Sequence, residues 1–204
     1  GLWMTLQVSA LSIVLSLLIG VLGAGVRLFK LPVLSQLVVL YVELIRNTPL
    51  LLLVFMCYFG LSELGIRFLD KIESFVLTLS LYAGAYMAET IRAGIQAVPK
   101  GQAEAARSLG MSPTWTMLTV VLPQALRIIV PPTTSQYLNL TKNSSLAIAV
   151  GYMDIKGTLG GTTLNQTGRE MESMILMMGI YLAISLIVSA VMNLYNSRVR
   201  LKER

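Results

Sequence analysis

Lys142-Asn143-Ser144-Ser145 sets a cation and three hydrogen-bonding side chains deep inside an otherwise apolar segment, residues 124–150. Gln136 and Asn139 stand a turn or two before them, at helical spacing that could place all on one stripe. An ionisable group surrounded by hydrocarbon is costly, so such a run has to face protein or a water-filled cavity. One chemistry that fits is recognition of a carboxylate. Asn143, Ser144 or Ser145 could cap a short helix starting near Leu146, whose free N–H groups and positive dipole end suit an anion, with Lys142 as counter-charge. The other is internal to an assembly: Lys142 balances an acidic residue of a neighbouring subunit and touches no ligand. The sequence leaves both open.

Two further polar groups interrupt apolar runs. Arg46-Asn47-Thr48-Pro49 predicts a break, because Pro49 disfavours helical geometry at the residue before it, and Arg46 can anchor a helix end at the headgroups. Glu89 and Arg92, three residues apart, can pair along a helix, as a structural ion pair or as part of a gate. The chain has no histidine, which excludes histidine-based metal sites and catalysis. Its single Cys57 lies in an apolar run and reads as a packing residue. No G-x-x-x-x-G-K-[ST] string is present, so the chain cannot hydrolyse ATP through a phosphate-cradling loop.

The elements carrying these residues follow from composition. With 55% hydrophobic and 13% charged residues and a mean hydropathy of +0.72, the solvent for most of the surface is a bilayer. The expectation is an all-α polytopic membrane protein, one domain over 1–204, with five spans at about 2–26, 48–64, 75–95, 124–150 and 174–195. In the first, Ser12, Ser16, Gly20 and Ala24 recur every fourth residue, a small-residue face for close helix packing. Residues 32–45 read as a surface helix. Residues 62–74, with Glu63, Arg67, Asp70, Lys71 and Glu73, read as a mixed-charge outer loop, and 151–173 as a glycine-rich one whose Asn165-Gln166-Thr167 sequon is incidental. Pro131-Pro132 predicts an irregular fourth span. Arg198, Arg200, Lys202 and Arg204 form a basic tail. The chain opens on Gly1 with no cleavable signal pattern, so it is expected to be part of a longer subunit.

Between the third and fourth spans lies an amphipathic insert, residues 99–123, containing EAARSLGMSPTWTMLTVVLP. Good helix formers up to Leu109 carry Ala103, Ala105 and Ala106, a face a partner backbone could approach. Gly110 can take the left-handed conformation of a helix end, and Ser112-Pro113 reads as the cap and first position of a second helix. Two short helices at an angle are predicted.

This insert closely resembles the EAA loop of the membrane subunits of bacterial ABC importers. Glu104, Ala105, Ala106, Gly110, Leu122 and Pro123 fall on the pattern, and Val120 stands where isoleucine is usual. RNTPLLLLVFMCYFGL resembles the R-x-T-P signature of polar amino-acid importers, while SQYLNLTKNSSLAIAVGY and GGTTLNQTGRE look like general L-amino-acid permeases. The resemblance implies a MetI-like type I permease fold, and it makes the insert the coupling helix that docks on a cytoplasmic ATPase dimer through Glu104, Ala105, Ala106, Gly110, Ser112 and Pro123. It further implies a second permease subunit, identical or homologous, a periplasmic amino-acid-binding protein, and ATP and Mg held by the ATPase rather than by this chain. Substrate contact then falls to Gln136, Asn139, Lys142, Asn143, Ser144 and Ser145, and gating or helix anchoring to Arg46, Thr48, Pro49, Glu89 and Arg92.

Charge distribution agrees. With the insert cytoplasmic, five spans put the start in the periplasm and the tail in the cytoplasm of an inner-membrane protein. The inner side then holds 12 basic and 4 acidic residues, the outer side 4 basic and 6 acidic, as the bias of Lys and Arg toward the cytoplasm requires. Nucleic acid need not be invoked for the net charge of +6. The rival readings are a secondary amino-acid transporter driven by an ion gradient, which predicts inverted repeats, and a membrane scaffold, which leaves the polar cluster of the fourth span without a role.

Overall fold

The computed structural model describes residues 1–65 and 69–199; Arg67, Arg200, Lys202 and Arg204 lie outside the described residues. Helices account for nearly all of the described chain: α1 (Leu2–Leu28), α2 (Pro32–Arg46), α3 (Leu50–Glu63), α4 (Lys71–Gln96), α5 (Lys100–Ser108), α6 (Pro113–Val150) and α7 (Glu170–Val199).

α4 is the centre, packed against α1, α2, α3 and α6. Its start is fixed by a capping box in which the Glu73 N–H donates to Asp70 Oδ1 at 2.8 Å and the Asp70 N–H to Glu73 Oε2 at 3.0 Å. The expected outer loop therefore shrinks: Lys71, Glu73 and Ser74 are helical, and the loop ends at Asp70. α1 lies along α4 through the predicted small-residue face, with Ser12, Ser16, Gly20 and Ala24 all buried. The fit is close enough that a Cβ on Gly20 would stand 2.5 Å from Met87 Cβ, and one on Gly84 would stand 2.6 Å from Ile19 Cγ2. Val8, Leu50, Val54, Phe75, Leu79, Leu140 and Val150 form the largest apolar cluster, where α1, α3, α4 and α6 meet.

The chain breaks at Pro49 as expected, and α2 and α3 meet at 110°. Thr48 Oγ1 donates to the Leu44 carbonyl at 2.7 Å and Asn47 Nδ2 to that of Glu43 at 2.8 Å, closing the open end of α2. Among the described residues three helices, α1, α6 and α7 up to Leu194, are long and apolar enough to cross a membrane, and there are four if the bent pair of α2 and α3 counts as one span. α4 carries Ser, Thr, Tyr, Glu and Arg on a helix surrounded by its neighbours, which lowers its apolar signal below theirs.

Two expectations for the second half of the chain are corrected. The helix after Ser112 is not short. It runs on from Pro113 to Val150 through Pro123, because the turn before the proline, Met117–Val121, widens to a π-helix and the α-helical ladder restarts at Leu122, where the donor the proline lacks is not needed. The irregularity expected of this span falls at its ends, a π-helical turn over Met117–Val121 and a 3₁₀ turn over Ser144–Val150, and not at Pro131-Pro132. The backbone stays helical, and Thr133 Oγ1 and Thr134 Oγ1 donate back to the Ile129 and Val130 carbonyls at 2.8 and 3.0 Å. Beyond it the polar segment also contains helical turns, Gly157–Thr163 and Leu164–Thr167.

Candidate functional site

The insert forms a hairpin of α5 and the first turns of α6. Gly110 has φ +86°, the left-handed conformation predicted for it, with its N–H bonded to the Arg107 carbonyl at 2.9 Å and that of Met111 to Ala106 at 3.2 Å. Ser112 Oγ accepts from the Trp115 N–H at 3.3 Å, and Pro113 follows at the first helical position. The alanine face is corrected. Ala106 is buried and Ala103 packs on the cluster Val98, Val121, Ala125 and Ile129, which seats the hairpin on its own chain. The exposed surface of the hairpin includes Glu104, Ala105, Arg107, Leu109 and Trp115, with Leu109 85% and Trp115 59% exposed.

Between α4 and α6 the packing opens into two cavities. One, of about 320 Å³, is lined by Tyr82, Tyr86, Gln136, Asn139, Lys142 and Asn143, with Leu79, Ala83 and Leu140 completing the wall. The predicted stripe Gln136, Asn139, Lys142 and Asn143 is thus brought together, facing two tyrosines one turn apart on α4. Their rings lie 5.1 Å apart, and Tyr82 and Tyr86 hydroxyls are 3.4 Å apart. The tyrosines extend the site beyond the sequence candidates. Their signal was available, because Tyr82, Tyr86 and Glu89 fall at helical spacing on one side of α4.

Ser144 and Ser145 do not join them. Ser144 is buried and donates to the Thr141 carbonyl at 2.7 Å, while Ser145 lines a separate cleft with Lys156 and Tyr181. The expected cap is also absent: Asn143 and Ser144 have helical φ and ψ, and α6 only tightens to a 3₁₀ turn over Ser144–Val150. No helix N-terminus faces the cavity here. Its recognition chemistry is the Lys142 ammonium, three amides and two phenols. Lys142 is exposed and forms no ion pair among the described residues.

The second cavity, of about 520 Å³, lies toward the hairpin end and is lined by Arg46, Tyr86, Glu89, Thr90, Gln136 and Pro132, among others. Tyr86 and Gln136 border both cavities. The Arg46 guanidinium sits over the Tyr86 ring, 5.3 Å from its centroid. Glu89 does pair with Arg92, and also with Arg27 of α1 at 2.6 Å. That triad ties the inner walls of α1 and α4 together. Of the residues grouped for gating or helix anchoring, Thr48 and Pro49 lie at the α2–α3 bend.

At the opposite end, Asp154 is buried and accepts from the Gly157 N–H at 2.8 Å and the Tyr181 hydroxyl at 2.9 Å. Burial pushes its carboxyl above the usual range, against these two hydrogen bonds. Among the described residues no cluster of His, Cys, Asp or Glu could hold a metal ion.

Helices long and apolar enough to cross a membrane, a polar cavity and a hairpin at one end are what the comparisons with known proteins have to account for. Residues 12–201 match the family described as binding-protein-dependent transport system inner membrane component, and the chain belongs to that family. It is 62% identical over 140 residues to the glutamate/glutamine/aspartate/asparagine transport system permease protein BztB of Rhodobacter capsulatus, covering 69% of this chain and 33% of that protein. Over 145 residues it is 50% identical to the general L-amino acid transport system permease protein AapQ of Rhizobium johnstonii, covering 71% of this chain and 35% of that protein. The chain therefore spans about a third of the length of these relatives. A crystal structure of an amino acid ABC transporter with histidines contains a chain that is 33% identical, with a TM-score of 0.91, covering 97% of this chain and 92% of that one. The all-helical fold expected for an importer permease is the fold observed.

Proposed function

We propose that this chain is a permease subunit of an ATP-driven ABC importer carrying polar or general L-amino acids from periplasm to cytoplasm. The observation that carries the reading is the hairpin: its left-handed Gly110, its capped second helix and its unbroken helical continuation into α6 connect an exposed surface directly to the wall of the polar cavity. An ATPase dimer closing on nucleotide displaces the hairpin, and α6 transmits that displacement because it is one helix from Pro113 to Val150. A motor acting this way favours whichever cavity arrangement its ATP-closed state binds more tightly. In this reading α4 completes five spans, the hairpin is cytoplasmic, a second permease subunit closes the pathway and a periplasmic binding protein delivers the amino acid. ATP and Mg belong to the ATPase, and Gln136, Asn139, Lys142 and Asn143 meet the substrate.

Uptake of labelled amino acid by proteoliposomes holding the whole complex tests this. Transport should require ATP and survive a protonophore; the reverse would establish the ion-gradient alternative. Glu104→Arg, on the exposed hairpin face, and Gly110→Pro, at its left-handed turn, should leave insertion intact and lower amino acid moved per ATP at least about tenfold, a coupling loss of roughly 1.4 kcal/mol. Normal coupling in both variants would remove the role given to the hairpin.

A further inference from the structure

Two cations line the paired cavities without a carboxylate partner, one on each side of the same tyrosine. Lys142 borders the cavity farther from the hairpin, and Arg46 the one nearer to it. Among the described residues neither forms an ion pair, and the Arg46 guanidinium sits over the Tyr86 ring. Glu89, the acid lining the nearer cavity, is already held by Arg27 and Arg92. The nearer cavity therefore carries an unneutralised guanidinium beside the Thr90 hydroxyl, the Gln136 amide and the Tyr86 phenol, a set that suits an anion with several acceptor oxygens. Gln136 and Tyr86 form the sill between the two spaces.

We propose that the nearer cavity is a second, exit-side site for a carboxylate, with Arg46 as its charge partner and Tyr86 as the shutter between it and the Lys142 cavity. The inference rests on the transport reading above and deepens it: the carboxylate of the amino acid passes from the Lys142 ammonium to the Arg46 guanidinium. A carboxylate entering the nearer cavity competes with the Tyr86 ring for Arg46. Releasing that stack frees the ring to turn, so arrival of the anion and opening of the shutter are one exchange. Arg46 ends α2 at the 110° bend, so a change of that bend moves the cation relative to α4.

The test uses the complete, ATP-free complex in nanodiscs, with L-glutamine, L-glutamate and their α-methyl esters as probes. In a Lys142→Ala background, binding should persist and favour the free acid over the ester by about tenfold. Adding Arg46→Gln should bring the two within about twofold, while Arg46→Lys should retain part of the preference. If Lys142→Ala alone abolishes the preference, or Arg46→Gln adds nothing to it, there is no exit-side carboxylate site. An Arg46→Gln effect that follows phosphatidylglycerol content instead of the α-carboxylate assigns Arg46 to a lipid headgroup and overturns the proposal. Uptake by the unsubstituted complex, measured in parallel, separates the two levels: ATP-driven transport with an indifferent Arg46 removes only the relay, and no ATP-driven transport removes the underlying reading with it.

Discussion

The two long faces of α4 are built on opposite plans. Toward α1 the contact is closed, with Gly20 against Met87, Gly84 against Ile19 and buried serines and alanines filling the seam. Toward α6 the same helix presents tyrosines, Glu89 and Thr90, and the packing opens into two cavities. Membrane helices gain no hydrophobic drive from meeting each other, so close packing of small residues is what fixes α1 to α4. Toward α6 such packing is confined to one end, where a Cβ on Gly94 would run into Ile129 Cγ1, and the rest of that face is free to separate. One face makes a wall and the other makes a passage.

The largest test of that contrast is to thicken the wall. Gly20→Val should cost about 3 kcal/mol, because even the first added carbon overlaps Met87 Cβ and there is no flexible tip to give way. Gly25→Ala, on the same helix with open space around it, should be neutral or slightly stabilising. Thermal melting of the purified chain followed by size exclusion reads both, and equal effects would deny that the seam is special. On the passage side, Tyr86→Ala should leave melting nearly unchanged but reduce amino acid moved per ATP by about tenfold, since the ring half-buried there separates the cavities more than it supports the core. A folding defect without a coupling defect would make Tyr86 part of the wall.

The smallest effect concerns the tie across the end of the wall, where the Ile155 N–H donates to Thr5 Oγ1 at 3.2 Å and Asp154 lies beneath it. Burial raises the Asp154 carboxyl, so the folded chain favours its neutral form. That contribution is complete below the unfolded carboxylate value and is lost as pH climbs through the raised one. Melting temperatures of the unsubstituted chain should therefore gain on those of Asp154→Asn as pH falls from about 8 toward about 4. A difference independent of pH would show that the site does not disfavour the charge.

What the sequence disclosed was local. The left-handed Gly110, the Ser112 cap, the break at Pro49 and the every-fourth-residue face of α1 each depend on a few neighbours and their backbone preferences, and each was readable. What it concealed depends on context. A proline at 123 reads as the edge of a new helix, yet the chain is helical from Pro113, since a π-helical turn over Met117–Val121 accommodates it and Val121, Ala125 and Ile129 pack on Val98. The same cluster turned Ala103 inward and Ala106 is buried, which no inspection of α5 alone could show. Asn143 and Ser144 are good capping residues, but the chain needs no cap where α6 tightens instead of starting anew. Tyr82, Tyr86 and Glu89 share one side of α4 by spacing, but aromatic residues in an apolar helix usually pack, and the opposing amides of α6 are what mark the tyrosines as cavity residues.

The central claim is that a cytoplasmic motor seizes the hairpin. Cysteine crosslinking tests it directly, in a Cys57→Ser background that removes the native thiol. Ala105→Cys, on the exposed side of α5, should crosslink to the ATPase subunit and react with thiol reagents added from the cytoplasmic side, while Ala103→Cys, packed against the chain's own core, should do neither. Labelling of Ala105→Cys from the periplasm alone, with no crosslink to an ATPase, would contradict the account.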